Sequence, residues 1–345
     1  MKIIKTAVLG ASGYTGIELL RLLLAHPAVE LTAITSRANA GQPLSSVLPR
    51  FSGLPGAEIS FIEPDMDAVV ASGAETAFLA LPHGMAAEYA IPLLEKGLRV
   101  IDLSADFRLN DAAVYEEFYG QAHPAPEWLP KAVYGMPELY TQEITDSQLV
   151  ASPGCYPTSI ILPLVPFLRA GLIDPASIVV SSLSGVSGAG RTASLPIIFS
   201  EVNESLRAYG LPKHRHLSEI EQELSLAAGE KVTITFTPHL VPVTRGIHST
   251  ITATLKGAFA EVAHALEGAY EKQPFVRLLG EGVAADTANV TRTNFVDVGW
   301  HHDVRTGRVV ITSAEDNLTK GASGQAVQAF NLLHDLPATT GLMNL

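Results

Sequence analysis

The stretch Ile3-Ile4-Lys5-Thr6-Ala7-Val8-Leu9 runs into Gly10-Ala11-Ser12-Gly13-Tyr14-Thr15-Gly16 and then into Ile17-Glu18-Leu19-Leu20-Arg21-Leu22-Leu23-Leu24. A β-branched and aliphatic run, a glycine turn and a helical apolar pattern follow one another without a break. That order opens a mononucleotide-binding α/β unit. Glycines let the backbone approach a pyrophosphate, which then rests on the helix N-terminus. The spacing is G-x-x-G-x-x-G rather than G-x-G-x-x-G, so the strand before it and the helix after it carry the reading. The reading predicts an α/β fold with a Rossmann-like, doubly wound parallel sheet.

Working outward, Val29 to Thr35 reads as the second strand and ends in Ser36-Arg37, about twenty residues beyond Gly16. An acidic residue at this place accepts the ribose 2′-hydroxyl of NAD. A hydroxyl and a guanidinium suit a 2′-phosphate instead, so NADP(H) is the expected cofactor. The alternation continues: Asp67 to Ala71 reads as helix, Ala74 to Leu81 as strand, Met85 to Glu95 as helix and Arg99 to Leu103 as strand. Leu81-Pro82-His83-Gly84 and Ser104-Ala105-Asp106-Phe107-Arg108 both follow strand ends, where such sheets bind ligands. His83 is a candidate cofactor contact. Arg108 is a candidate anion clamp, with a surface ion pair to Asp106 or Asp111 as its rival. Asn110 to Gln148, rich in Pro and aromatics, reads as an irregular excursion. Leu149 to Ser152 reads as a short strand.

Ala151-Ser152-Pro153-Gly154-Cys155-Tyr156-Pro157-Thr158 follows, holding the only cysteine of the chain. Pro157 has a preset φ and no N–H, which suits the first turn of a helix running to about Ala170. Cys155 then stands at a helix N-terminus, where the dipole favours an anion and a thiol tends toward thiolate. A small buried hydrophobe is the competing role.

Beyond this helix Ile178 to Leu183, Lys231 to Thr237, Ile247 to Leu255, Phe295 to Trp300 and Arg308 to Thr312 are strand-like. Several alternate polar with apolar residues, as antiparallel strands with one wet or subunit-facing side do. They predict a second, α+β domain with a mixed or antiparallel sheet, and Gln325 to Leu333 returns to helix. Ser184-Gly185-Val186-Ser187-Gly188-Ala189-Gly190-Arg191 is a glycine-rich strand end suited to close approach by a cofactor or phosphate. In Lys213-His214-Arg215-His216-Leu217-Ser218-Glu219-Ile220-Glu221, Ser218 and Glu221 form a capping-box pattern that starts a helix at Ser218. His216 stands two residues ahead of it, a candidate proton carrier. His-x-His without further matched ligands is weak support for zinc, so no metal is expected.

The chain has 345 residues, 47% hydrophobic and 17% charged, which suggests two domains. A net charge of −12 argues against general nucleic-acid binding. No apolar run approaches the length of a membrane span, and the N-terminus lacks a signal-peptide core. One cysteine fits a reducing compartment, so a cytoplasmic protein is expected.

These motifs, with Glu315-Asp316-Asn317-Leu318-Thr319-Lys320-Gly321, resemble over essentially the whole chain the N-acetyl-γ-glutamyl-phosphate reductases of arginine biosynthesis. That family belongs with the aspartate-semialdehyde dehydrogenases. The resemblance implies a discontinuous NADP-binding domain, 1–153 plus 317–345, whose C-terminal helix from Lys320 to Leu333 packs back on it. It implies a catalytic and dimerisation domain over 154–316. It implies a thioester on Cys155, formed from an acyl phosphate with release of inorganic phosphate, NADPH as hydride source and His216 as acid/base. Cofactor contacts fall to Gly10, Ser12, Gly13, Tyr14, Thr15, Gly16, Ser36, Arg37, Leu81, Pro82, His83, Ser184, Gly185, Ser187, Gly188 and Asn317. Substrate contacts fall to Arg108, Arg191, His214 and Arg245. A homo-oligomer, dimer or tetramer, is implied. The aminoadipyl-phosphate reductases of lysine biosynthesis are the rival reading, but those compared carry Gly-Cys-Asn-Ala-Thr where this chain has Gly-Cys-Tyr-Pro-Thr. An inactive NADP-binding sensor is a further alternative, opposed by the intact Cys155 and His216, and a metal-dependent hydrolase comes last.

Overall fold

A computed structural model describes residues 2–343; Met1, Asn344 and Leu345, at the ends of the expected domain spans, lie outside the described residues. The chain divides into two compact units, one running to Pro153 and resuming at Ala322, the other Gly154–Gly321.

The first unit runs β1 (Ile4–Leu9), α1 (Tyr14–Leu24), β2 (Val29–Thr35), α2 (Leu44–Val47), β3 (Phe61–Ile62), α3 (Met66–Ala71), β4 (Thr76–Leu79), α4 (Ala86–Glu95), β5 (Arg99–Asp102), α5 (Ala112–Tyr119), β6 (Val133–Tyr134), α6 (Thr141–Thr145) and β7 (Leu149–Ala151). Its strands form one parallel sheet in the order β3-β2-β1-β4-β5-β7-β6. Successive side chains of a strand face opposite ways. Ala77 and Leu79 therefore pack with Ala90 and Leu93 of α4, and Phe78 between them meets Phe330 at 5.6 Å on the other side. Such strands, covered on both faces, are apolar throughout rather than alternating.

The supposed irregular excursion contains α5, α6 and β6. Asp111 caps α5 by accepting Ala113 N–H at 2.8 Å, and Gly120 ends it at φ +73°. These end signals stand in the sequence; the Pro-rich text around them conceals them.

The second unit runs α7 (Cys155–Arg169), β8 (Val179–Ser184), α8 (Phe199–Val202), β9 (Arg207–Ala208), α9 (Leu217–Ala228), β10 (Thr235–Leu240), β11 (Ile247–Thr254), α10 (Ala260–Tyr270), β12 (Val276–Glu281), β13 (Val296–Asp303) and β14 (Arg308–Glu315). Its sheet is mixed, in the order β12-β13-β14-β11-β8-β10-β9, with β8–β10 and β12–β13 parallel. Strand β10 begins at Thr235, later than the alternation from Lys231 suggests, and continues through Pro238 to Leu240.

Nearly all of α7 is buried, as a helix apolar on every side must be. Pro166 lacks the N–H that would bond Leu162 O, and the hydroxyl of Tyr270 donates to that carbonyl at 2.6 Å instead. Ser159, Ser249 and Ser182, all fully buried, join their hydroxyls at 2.8 and 2.7 Å and tie α7 to the sheet.

A π-turn at Thr319–Ser323, where the second unit ends and the first resumes, precedes α11 (Gly324–Leu333), so the regular helix begins four residues beyond Lys320. Within the first unit α11 is tied by His26 Nε2 to Asn331 Oδ1 at 2.9 Å and by Gln328 Nε2 to Glu138 Oε1 at 2.9 Å.

Candidate active site

Cys155 is the first residue of α7, with Gly154 as its extended N-cap at φ −70°, ψ 162° and no side-chain cap. The thiol therefore sits at the positive end of a fifteen-residue helix. The backbone around it leaves no spare room. A Cβ on Gly154 would lie 2.6 Å from His216 Nε2 and 2.8 Å from Glu219 Oε1; one on Gly321 would lie 2.9 Å from both Cys155 Cβ and Glu315 Oε1. Glu219, 1% exposed, accepts the Gly154 N–H on Oε2 at 3.1 Å, and its Oε1 is 4.0 Å from His216 Nε2. One carboxylate thus fixes the peptide before the nucleophile and lies beside the imidazole.

The capping box does not form. Helix α9 starts at Leu217 with His216 itself at the N-cap, because the Ser218 hydroxyl donates to Arg215 O at 2.7 Å and Glu221 Oε1 accepts Ile234 N–H at 3.0 Å. His216 consequently stands one turn before Glu219 on one helix face.

Cys155, Tyr156, Ser184, Gly185, Gly188, Tyr209, His214 and His216 line one pocket of 360 Å³. Tyr156 and Tyr209 share a hydroxyl–hydroxyl bond of 2.8 Å, and desolvation raises the pKa of both, that of Tyr209 to about 12. Both phenols keep their protons at neutral pH, and one donates to the other.

The glycine loop after β8 is drawn against Val243–Gly246: Gly185 N–H donates to Gly246 O at 2.9 Å and Ser187 N–H to Thr244 O at 3.1 Å. A Cβ on Gly185 would lie 2.8 Å from Arg245 N. Asn317 completes this arrangement, accepting Gly246 N–H at 2.8 Å and donating to Ser187 Oγ at 2.9 Å. Arg245 pairs with buried Asp316 at 3.1 Å, while Arg191 is exposed.

In the first unit the glycine turn separates two jobs. Gly10 (φ +79°) would place a Cβ 2.4 Å from Ala80 O, and Gly16 one 2.7 Å from Ala11, so both are needed for chain packing. Gly13, the N-cap of α1, is extended and has open space where a side chain would go. An uncapped helix end with open space before it is what a pyrophosphate requires. Beside it Ser36 Oγ donates to Ser12 Oγ at 3.4 Å and accepts from Asn39 at 3.0 Å. Exposed Arg37 donates to Tyr89 Oη at 2.9 Å, and Ser36-Arg37-Ala38-Asn39 contains no carboxylate. These residues fit a 2′-phosphorylated dinucleotide.

Leu81 borders the same turn, 3.1 Å from the Cβ position of Gly10; Pro82 and His83 are exposed. Buried Asp106 holds that loop by accepting Gly84 and Ala86 N–H at 2.6 and 2.8 Å. Arg108 is buried, donating through Nε to Ser152 O at 2.8 Å and through Nη2 to Leu103 O at 2.9 Å. It is not the surface residue of the ion-pair alternative.

Sequence reasoning missed Glu219, Tyr209 and Asn39. Only Glu219 had a local signal, its i+3 spacing from His216. Among the described residues no cluster of three His, Cys, Asp or Glu could hold a metal, and no helix is long and apolar enough to cross a membrane.

Residues 5–147 match the semialdehyde dehydrogenase NAD binding domain, and 155–317 match the semialdehyde dehydrogenase dimerisation domain. The chain is 60% identical over 344 residues to the N-acetyl-γ-glutamyl-phosphate reductase of Akkermansia muciniphila and 52% identical over 345 residues to that of Geobacter metallireducens, covering 99% of each chain in both cases. Among solved structures it resembles aspartate semialdehyde dehydrogenase II of Vibrio cholerae complexed with ASA (TM-score 0.72, 17% identity, 97% of this chain and 99% of that one). It also resembles the Candida albicans aspartate semialdehyde dehydrogenase with NADP (TM-score 0.73, 16% identity, 96% and 99%). At such identity these two likenesses speak for the fold.

Proposed function

The chain belongs to the N-acetyl-γ-glutamyl-phosphate reductases, and from that premise we propose that it reduces N-acetyl-γ-glutamyl phosphate to N-acetyl-glutamate 5-semialdehyde with release of phosphate. The observation that carries this reading is Cys155 at the start of α7, sharing its pocket with His216. The sulfur attacks the acyl carbonyl, the bond to the phosphate oxygen breaks, and a thioester forms on Cys155. NADPH, when bound, supplies a hydride to the acyl carbon. His216 gives its proton to the oxygen of the carbon that has received hydride, and takes it back as the C–S bond breaks, leaving the aldehyde and the Cys155 thiolate. Glu219 orients the imidazole and holds the Gly154 peptide, so the acid/base group and the nucleophile share one anchor. Gly10–Gly16 with Ser12, Ser36 and Arg37 hold the dinucleotide, together with Leu81–His83. Asn317 acts by setting the Ser184–Gly188 loop that faces the pocket. In this unit Arg207 and Arg215, which line the pocket, join Arg245 and Arg191 as candidates for substrate anions, and residues 155–317 are read as the self-associating part, a homodimer or larger by mass in solution.

The assay is phosphate-dependent reduction of NADP⁺ by N-acetylglutamate semialdehyde. Cys155→Ser should lower it by about a thousandfold or more; a near-wild-type rate would sink the thioester route. Arg37→Ala should weaken use of NADPH about ten- to a hundredfold, the worth of a charged hydrogen bond, and leave NADH unaffected. Equal effects on both cofactors would refute the 2′-phosphate role.

A further inference from the structure

Two histidines border one pocket, and the geometry gives them different chemistry. His214 Nδ1 accepts the backbone N–H of His216 at 3.1 Å. A nitrogen that accepts a hydrogen bond carries no proton, so the proton of the neutral ring is on Nε2. The ring lies edge-on in a box of aromatic groups, with centroids 5.5 Å from Tyr156, 5.6 Å from Tyr209, 5.7 Å from Phe236 and 4.9 Å from His216. It lines the pocket, and its Nε2–H meets no acceptor among the described residues. We propose that His214 is a neutral, tautomer-locked hydrogen-bond donor to an oxygen of the substrate, while His216 alone moves protons. The proposal rests on the acyl-phosphate reductase reading above.

The Arg215 charge opposes a charge on His214, its aromatic neighbours bring none, and a Cys155 thiolate in the same pocket would favour one. Arg215 adjoins it in the loop, the phenols of Tyr156 and Tyr209 face it from α7 and from beyond β9, and Phe236 of β10 brings no charge. Desolvation, then the Arg215 charge, pulls its pKa down to about 4. The donor is therefore constant over the working pH range. Cys155, next to Tyr156, and His216 are the groups nearby whose charge state the reaction uses.

Histidine-selective ¹⁵N NMR of the full-length, ligand-free protein tests this, with His214→Gln used for assignment. The expected result is an Nε2–H, Nδ1-unprotonated pattern for His214 that stays flat from about pH 5.5 to 8.5. Titration in that range, or the opposite tautomer, overturns the proposal. In kinetics, His214→Phe should lower kcat/KM about three- to tenfold, the worth of one uncharged hydrogen bond. Its pH limbs should not move, and His214→Gln, which keeps an amide donor, should recover part of the loss. A shifted acid limb, or equal loss in both variants, overturns it too. If the wild-type protein shows no reductase activity, the functional reading fails while the NMR result still stands on its own.

Discussion

Gly154→Ala isolates the geometry around the nucleophile. The glycine has φ −70° and ψ 162°, a conformation any residue adopts, so the backbone tolerates alanine without strain. Alanine at such a site stabilises by about 0.4–1 kcal/mol through the unfolded chain. The new methyl group, however, would stand 2.6 Å from His216 Nε2 and 2.8 Å from Glu219 Oε1, where ordinary contact begins at 3.4 Å. Glu219 cannot retreat freely, because its other oxygen holds the Gly154 N–H at 3.1 Å. The imidazole must therefore give way by most of an ångström. Overpacking of this size costs about 1–3 kcal/mol, which the glycine replacement partly offsets. Tm should consequently fall by only a few degrees. Activity should fall about a hundredfold, the usual consequence of misplacing a reacting group by ~1 Å. Steady-state kinetics, thermal unfolding and the rate of Cys155 alkylation, read together, decide the matter. A kcat/KM within threefold of wild type would refute the reasoning, as would a loss fully explained by unfolded protein.

The glycine turn supplies a paired prediction. Gly13→Ala should leave Tm unchanged and raise KM for the dinucleotide, whereas Gly10→Ala, forced to φ +79° against Ala80 O, should destabilise the fold outright; equal melting curves for the two would refute the division of roles. Acid sensitivity follows from buried imidazoles. His214 and His334 are drawn down to about 4, mainly by desolvation, and His26 and His248 are lowered as well. Between about pH 4 and 6.5 these imidazoles bind fewer protons folded than unfolded, so they add stability that rises with pH and is lost on acidification. Asp102, raised to about 7 mainly by desolvation, opposes part of this as one carboxyl against several imidazoles. The expected loss is about 1 kcal/mol per pH unit for His214 and less for the more exposed His334. Urea midpoints at pH 5 and 7 check the sign, and a midpoint higher at pH 5 contradicts it.

What could be read in the sequence was what neighbouring residues decide. The β1–turn–α1 segment needs only local apolar pattern and glycines, and Pro157 shortly after Cys155 marks the start of α7 within two residues. The site's remaining parts depend on partners far along the chain. Glu219 reaches Gly154 across 65 positions, and Asn317 reaches Ser187 across 130. The Ser218–Glu221 pattern failed for the same reason: Ile234, thirteen residues on, claimed the glutamate that a local rule assigned to the cap. Arg108 stands in the sequence as a candidate anion clamp, and what no local pattern shows is that the fold fixes it by two of its donors on the carbonyls of Leu103 and Ser152.

The return of α11 to the first unit bears on how the protein is made. Phe78, fully buried, and His26 are translated early, yet the Phe330 and Asn331 that cover and bond them come from the far end of the chain. A ribosome working at roughly 5–20 residues per second needs on the order of ten to thirty seconds to cross the second unit before α11 emerges. During that interval the first unit has all seven strands and lacks one covering layer, with an apolar face open to chaperones or to neighbouring nascent chains. A premature stop near Gly324 would accordingly damage the part synthesised first and leave Cys155, His216 and Glu219 in a unit already complete.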